Sequence, residues 1–275
     1  MTGTAKSDSE FSDRELAARF AAPDARRRLT AFLRWVEEIE QIPFKATEPA
    51  IIAMRFAWHR EAVADLFATP IRVRRQLAYE GLAEIIALQQ GPGEKELIAI
   101  IDAIEDGLEP ARISSIQALV DQVDSHQGSV IRIGERLVGG QANGALRTAA
   151  ARAAGLALWT RQFPFRAGRK FAIVPTDLME AAGLNLHRLA TGREPDLAAR
   201  AFAAVLEALE NELTRLRKTT LCPPESFPML GVARLAGATL KTARRSRDLY
   251  RTDFRRPLLA RQFDLLKGSL SGRLA

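Results

Sequence analysis

The chain has 275 residues, 47% of them hydrophobic, and a formal net charge of +7. That is enough to bury one large core, while the single cysteine, Cys222, excludes an intramolecular disulfide and fits a reducing compartment. Aromatic residues make up only 7%, which with abundant Ala and Leu favours helix over sheet, and no run reaches the ~20 apolar residues of a membrane span.

Residues 1–12 are polar, without a signal-peptide core or an Arg-rich presequence, and are expected to be a flexible N-terminus ahead of one domain over 13–275. Ser12-Asp-Arg-Glu15 has the form of a capping box and predicts a helix start, which Pro23 interrupts. A second helix is predicted from about Asp24 to Gln41, with Leu29, Phe32, Leu33, Val36 and Ile39 on one side. A third carries Ile51, Met54, Trp58 and Ala62 and ends before Pro70; residues 71–90 read as a fourth, stopped by Gly91-Pro-Gly93. Leu97, Ile101, Ile104 and Leu108 mark a fifth, closed by Pro110. Residues 115–138 form a long helical pattern in which Gly128 and Gly134 signal close packing or a kink. A small-residue helix runs from about Gly144 to Phe163, residues 166–176 read as irregular, and Pro195 opens a helix with Phe202, Val205, Leu206, Leu209, Leu213 and Leu216 on one face. After a connection at 219–228, residues 229–250 and 257–270 read as two basic helices. No alternating strand pattern occurs, so the predicted fold is all-α: a single-domain bundle of about eight to ten helices.

The charge is unevenly placed. Residues 241–275 hold ten Lys/Arg against three Asp/Glu, whereas the first 240 hold 30 of each sign. A solvated basic tail accounts for this, as does attraction to an anionic membrane surface; nucleic acid is not expected, since no binding motif accompanies the charge.

Familiar catalytic motifs are absent: the sequence has no Gly-rich phosphate loop, no HExxH and no CxxC, and His59, His126 and His187 are far apart. Cys222, in Leu-Cys-Pro-Pro, reads as an incidental thiol. Two segments carry candidate chemistry. In Ala31–Gln41, Glu37 and Glu40, then Glu38 and Gln41, share helix faces, an arrangement that suits either magnesium bound against a diphosphate or a solvated acidic surface. In Leu156–Pro175, Arg161, Arg166, Arg169 and Lys170 follow a helix end, where cations serve the helix dipole or bind a diphosphate or acidic head group.

In this order, the two segments resemble the squalene/phytoene synthases. Ala31-Phe-Leu-Arg34 leads to Glu37-Glu-Ile-Glu-Gln41 where that family has an Asp-Asp-x-x-Asp motif, and Trp58-His-Arg-Glu-Ala62 is similar to its next helix. Arg161, the basic run and Ile173-Val-Pro175 resemble the second motif, followed by the similar Thr176–Leu184; Phe227-Pro-Met-Leu and Arg256–Phe263 resemble the tails of bacterial members. The resemblance implies the class I isoprenoid synthase fold. In active members, it further implies, two aspartate clusters hold magnesium that grips a prenyl diphosphate.

Here the first cluster falls on Glu37, Glu38 and Gln41, with Glu40 beside them, and the second on Gln162 and Arg166. A cation at a ligand position costs about 4 kcal/mol against another positive charge at ~4 Å and an effective dielectric of ~20. Ionising an allylic diphosphate requires its charge to be neutralised, so no catalytic residues, metal or cofactor are expected. The resemblance is to a degenerate branch similar to respiratory complex I assembly factors. The expected role is binding of a lipid-like or prenyl ligand, a protein partner, or a membrane surface through 241–275. Arg34, Arg161, Arg166, Arg169 and Lys170 are the expected anion contacts, and the expected location is cytoplasmic or peripheral at the inner membrane. The alternative is an active, magnesium-dependent prenyl transferase using Glu37, Glu38 and Glu40; in a third reading the old cavity is only filled core.

Overall fold

A computed structural model describes residues 12–275, all-helical with no strand among them. The N-terminal half contains α1 (Asp13–Ala18), α2 (Pro23–Glu40), α3 (Ile42–Lys45), α4 (Pro49–Phe67), α5 (Leu77–Ile86), α6 (Glu94–Asp106), α7 (Ile116–Val123) and α8 (Ser129–Val138). The rest comprises α9 (Gly144–Arg161), α10 (Phe163–Gly168), α11 (Thr176–Ala181), α12 (Leu186–Thr191), α13 (Pro195–Lys218), α14 (Phe227–Leu230), α15 (Ala236–Arg245) and α16 (Leu258–Ser271).

Local chemistry places the boundaries. Ser12 Oγ accepts from the Glu15 N–H and Glu15 reaches back to the Ser12 N–H, so the predicted capping box opens α1. The rest of the expected flexible segment, residues 1–11, lies outside the described residues. Prolines occupy the first turn of α2, α4 and α13, where no intrahelical N–H is needed. The same rule corrects the irregular reading of 166–176: Pro164 begins α10 rather than only ending α9. The expected helix over 71–90 contracts to α5, because Ile71 and Val73 find nothing to pack against and stay exposed. The connection at 219–228 gives way to α14 at Phe227, the first basic helix shortens to α15, and the second stands at α16, one residue on from its expected place.

α9 lies at the centre, packed against α7, α13 and α15. It buries Leu146, Ala149, Ala150, Ala153, Leu156 and Ala157, and its small side chains let neighbours approach closely. Gly155 is the tightest case: a Cβ there would strike Val123 and Gln127. The chain between α7 and α8 adopts a single π turn, Asp124–Gly128, which accommodates this approach and turns His126 and Gln127 inward. Gly134 plays the same part in α8, facing Met229 of α14 and Leu29 of α2. Among the described residues, no helix is long and apolar enough to cross a membrane.

Candidate functional site

The C-terminal end of α2 and the C-terminal end of α9 face a common polar cleft of about 280 Å³, lined by Glu37, Glu40, Gln41, Gln127 and Arg161 together with Asp13 and Arg14 of α1. Positions 37, 40 and 41 share a helix face, while Glu38 turns elsewhere and pairs with Lys45 at 3.0 Å. The first candidate cluster is therefore divided: Glu38 does not line the cleft shared by Glu37, Glu40 and Gln41.

α1 supplies both counter-charges. The Arg14 guanidinium grips Glu40 with two bonds of 2.8 Å and donates a third, also 2.8 Å, to Gln127 Oε1. His126 Nε2 lies 2.9 Å from Glu40 Oε1. Burial alone would raise the Glu40 carboxyl, but Arg14 and His126 hold it well below the usual carboxylate range. Burial likewise opposes the Arg14 charge, and Glu40 more than offsets it, so Arg14 is held above its usual range. Glu37 is pushed up by burial, with Ser12 and Arg14 only partly opposing this. On the other side, Asp13 accepts from Arg161 at 3.2 Å and from Arg261 of α16 at 3.0 Å. Burial pulls Arg161 below its usual range.

Arg166 is structural in its contacts. Its guanidinium donates to the Gly107 carbonyl at 2.8 Å, the Ala172 carbonyl at 2.9 Å and Gln162 Oε1 at 2.8 Å, and stacks 4.0 Å above the Trp159 ring. Burial pulls its pKa down to about 9. Phe44 and Phe165 stack at 4.0 Å beside it. The void left between α2, α6, α7, α9 and α10 has a volume of only about 40 Å³. That is room for a few waters at ~10–15 Å³ each, against the ~300–1,000 Å³ of ordinary ligand pockets.

The remaining expected anion contacts are scattered. Arg34 is exposed, 4.0 Å from Glu15; Arg169 donates to the Ala46 carbonyl at 3.2 Å; and Lys170 is exposed, with a left-handed backbone (φ 58°). None of the three cavities around α1 and α9 is lined by more than one of Arg34, Arg161, Arg166, Arg169 and Lys170. Cys222 is buried and its thiol is pushed up to about 12 by burial, which makes it a poor nucleophile. Sequence reasoning missed Asp13, Arg14, His126, Gln127 and Arg261. The capping box located α1, but nothing local shows what its side chains will meet.

The donor set does not fit magnesium. Both Glu40 oxygens are engaged by protein donors, α9 offers the cleft the cation Arg161, and the described residues contain no group of three His, Cys, Asp or Glu placed to hold a metal.

A helical bundle with two facing motif segments at this geometry defines a class of protein: the chain belongs to the squalene/phytoene synthase family, whose model matches residues 6–262. Among solved structures it is similar to the squalene synthase HpnC from Alicyclobacillus acidocaldarius, with 17% identity, a TM-score of 0.67, and coverage of 86% of this chain and 89% of that one. It is also similar to a dehydrosqualene synthase solved in complex with ligand, with 13% identity, a TM-score of 0.65, and coverage of 94% and 90%. At these identities the likeness is one of fold. No curated protein matches the sequence at a significant level.

Proposed function

We propose that this chain is a non-catalytic member of the squalene/phytoene synthase family that acts by binding. The observation that carries the reading is the pair of internal ion pairs made by α1. Arg14 stands against Glu40 and Asp13 against Arg161, so both motif segments have their charge satisfied by the protein itself. A diphosphate held here would meet Glu37 and Glu40 without bridging cations, and like charges repel. A prenyl-type chain entering the bundle would have to displace Phe44, Phe165 and Arg166 from the small inner void. Binding of a protein partner, including a part in respiratory complex assembly, rests on the resemblance to the degenerate branch of the family.

The test is incubation of the protein with farnesyl or geranylgeranyl diphosphate and magnesium, with diphosphate release as the readout. The expected result is no release above a protein-free control. Turnover that disappears in a Glu37→Gln/Glu40→Gln variant sinks the reading in favour of an active prenyl transferase with an altered metal site.

A further inference from the structure

α16 carries an apolar face that the fold does not use. Its inward side, Arg261, Leu265 and Gly268, is buried against the segment after α14 and against α1. The packing is close: a Cβ at Gly268 would strike Arg234 and Phe227. Arg234 further ties this end down by donating to the Asp264 carbonyl at 2.7 Å and the Arg273 carbonyl at 2.8 Å. On the opposite side stand Leu259, Phe263, Leu266 and Leu270, exposed by 78%, 67%, 47% and 81%. Their spacing of four, three and four residues confines them to an arc of about 60° at ~100° per residue. Leu221, 61% exposed, lies against Gly272 at the end of the same helix.

Charge identifies what this face suits. Of the ten cations in 241–275, Arg244, Arg251, Arg255, Arg256 and Arg261 are paired with carboxylates of the protein. Lys241, Arg245, Arg247, Lys267 and Arg273 are exposed, with no carboxylate partner among the described residues. Lys267 sits on α16 immediately beside the stripe. A second copy of the chain docked through this face would bring Lys267 and Arg273 of both copies together, which disfavours self-association. An apolar helix face lying on the body, with unpaired Lys267 beside it and Arg273 just past its end, suits an anionic lipid surface, where apolar side chains enter the headgroup boundary and cations meet the lipid charge. Residues 1–11 offer only Met1 and Phe11 as large apolar side chains, too few to cover the stripe.

We infer that the outer face of α16, Leu259, Phe263, Leu266 and Leu270, docks the protein on anionic membranes as a monotopic helix. This stands whether or not the central site turns over a diphosphate, so the two readings fail separately. The experiment is co-sedimentation of the full chain with phosphatidylcholine vesicles, with and without phosphatidylglycerol. The parent is expected to bind the anionic vesicles and to be released by salt. Leu259→Ser/Phe263→Ser/Leu266→Ser/Leu270→Ser is expected to bind about tenfold more weakly, with an unchanged thermal midpoint because the four side chains touch little of the body. Lys267→Glu, which leaves the stripe intact, is expected to weaken binding to anionic vesicles only. Ile71→Ser/Leu77→Ser, on the other exposed apolar and basic segment, is expected to bind like the parent. The inference is overturned if the parent ignores anionic vesicles, if the four-serine variant binds as well as the parent, or if binding is lost with the 71/77 variant instead. It is also overturned if the parent is a dimer that the serine substitutions dissociate, since a second copy would then be the occupant.

Discussion

Burial disfavours the charged form of both Glu40 and His59, and their neighbours decide the outcome. Glu40 is stabilised as a carboxylate because Arg14 and His126 surround it. His59, 5% exposed, with Nδ1 2.7 Å from the Tyr79 hydroxyl, is pushed down to about 4 by burial. Each makes stability depend on pH with a definite sign. His59 titrates near 6.5 when unfolded, so the native state binds fewer protons between 6.5 and 4. Its contribution is complete above 6.5 and is lost as pH falls toward 4, about 3 kcal/mol in all. The carboxyl of Glu40 titrates near 4.3 when unfolded, and its contribution is lost only as pH falls further. Urea unfolding between pH 7 and pH 3 is therefore expected to show two successive losses. His59→Gln should remove the upper one and Glu40→Gln the lower one; a flat profile in the parent contradicts both assignments.

At the scale of the element, the junction between α7, the π turn and α9 sets the position of the site. His126 and Gln127 reach Glu40 only because the helix slips by one residue at the turn and because Gly155 leaves space for Val123 and Gln127. Gly155→Val is expected to cost about 2 kcal/mol by overpacking, and to loosen Gln127 from Arg14. Gly144→Ala, at the start of the same helix with nothing near its position, should leave stability unchanged or slightly higher. Equal urea midpoints for the two variants argue against a close α7–α9 contact. Gly128 and Gly134 were legible in sequence as marks of packing or a kink. The structure assigns the kink to the π turn ending at Gly128 and the packing to Gly134.

For the whole molecule, the charged side chains at the two motif segments form connected networks rather than isolated pairs. Arg166 caps two carbonyls from different parts of the chain, Arg14 and Asp13 answer the charges on α2 and α9, and Arg261 brings α16 into the same network. Restoring carboxylates at the second motif alone should therefore fail. Gln162→Asp/Arg166→Asp is expected to lose about 3 kcal/mol or more, from charge-assisted hydrogen bonds and the stack on Trp159. It should also show no magnesium-dependent rise in thermal midpoint, because Arg14 still occupies Glu40. A clear rise with magnesium argues that a metal site remains latent in the bundle.

The sequence by itself determined the all-α class, most helix boundaries and the family, because apolar periodicity, capping residues and prolines act over a few neighbouring residues. That Gln162 and Arg166 stand at the carboxylate positions of the second motif is what the resemblance implies. The sequence overextended the helix at 71–90 and missed α10, where packing and the position of Pro164 in the first turn decide. Only the tertiary structure determined that Glu38 leaves the cleft, that α1 neutralises both motif segments, and that α16 keeps an apolar stripe outward. Those outcomes depend on which distant side chains meet: Arg14 reaches across to Gln127, and Asp13 to Arg261, through a closed bundle rather than along the chain.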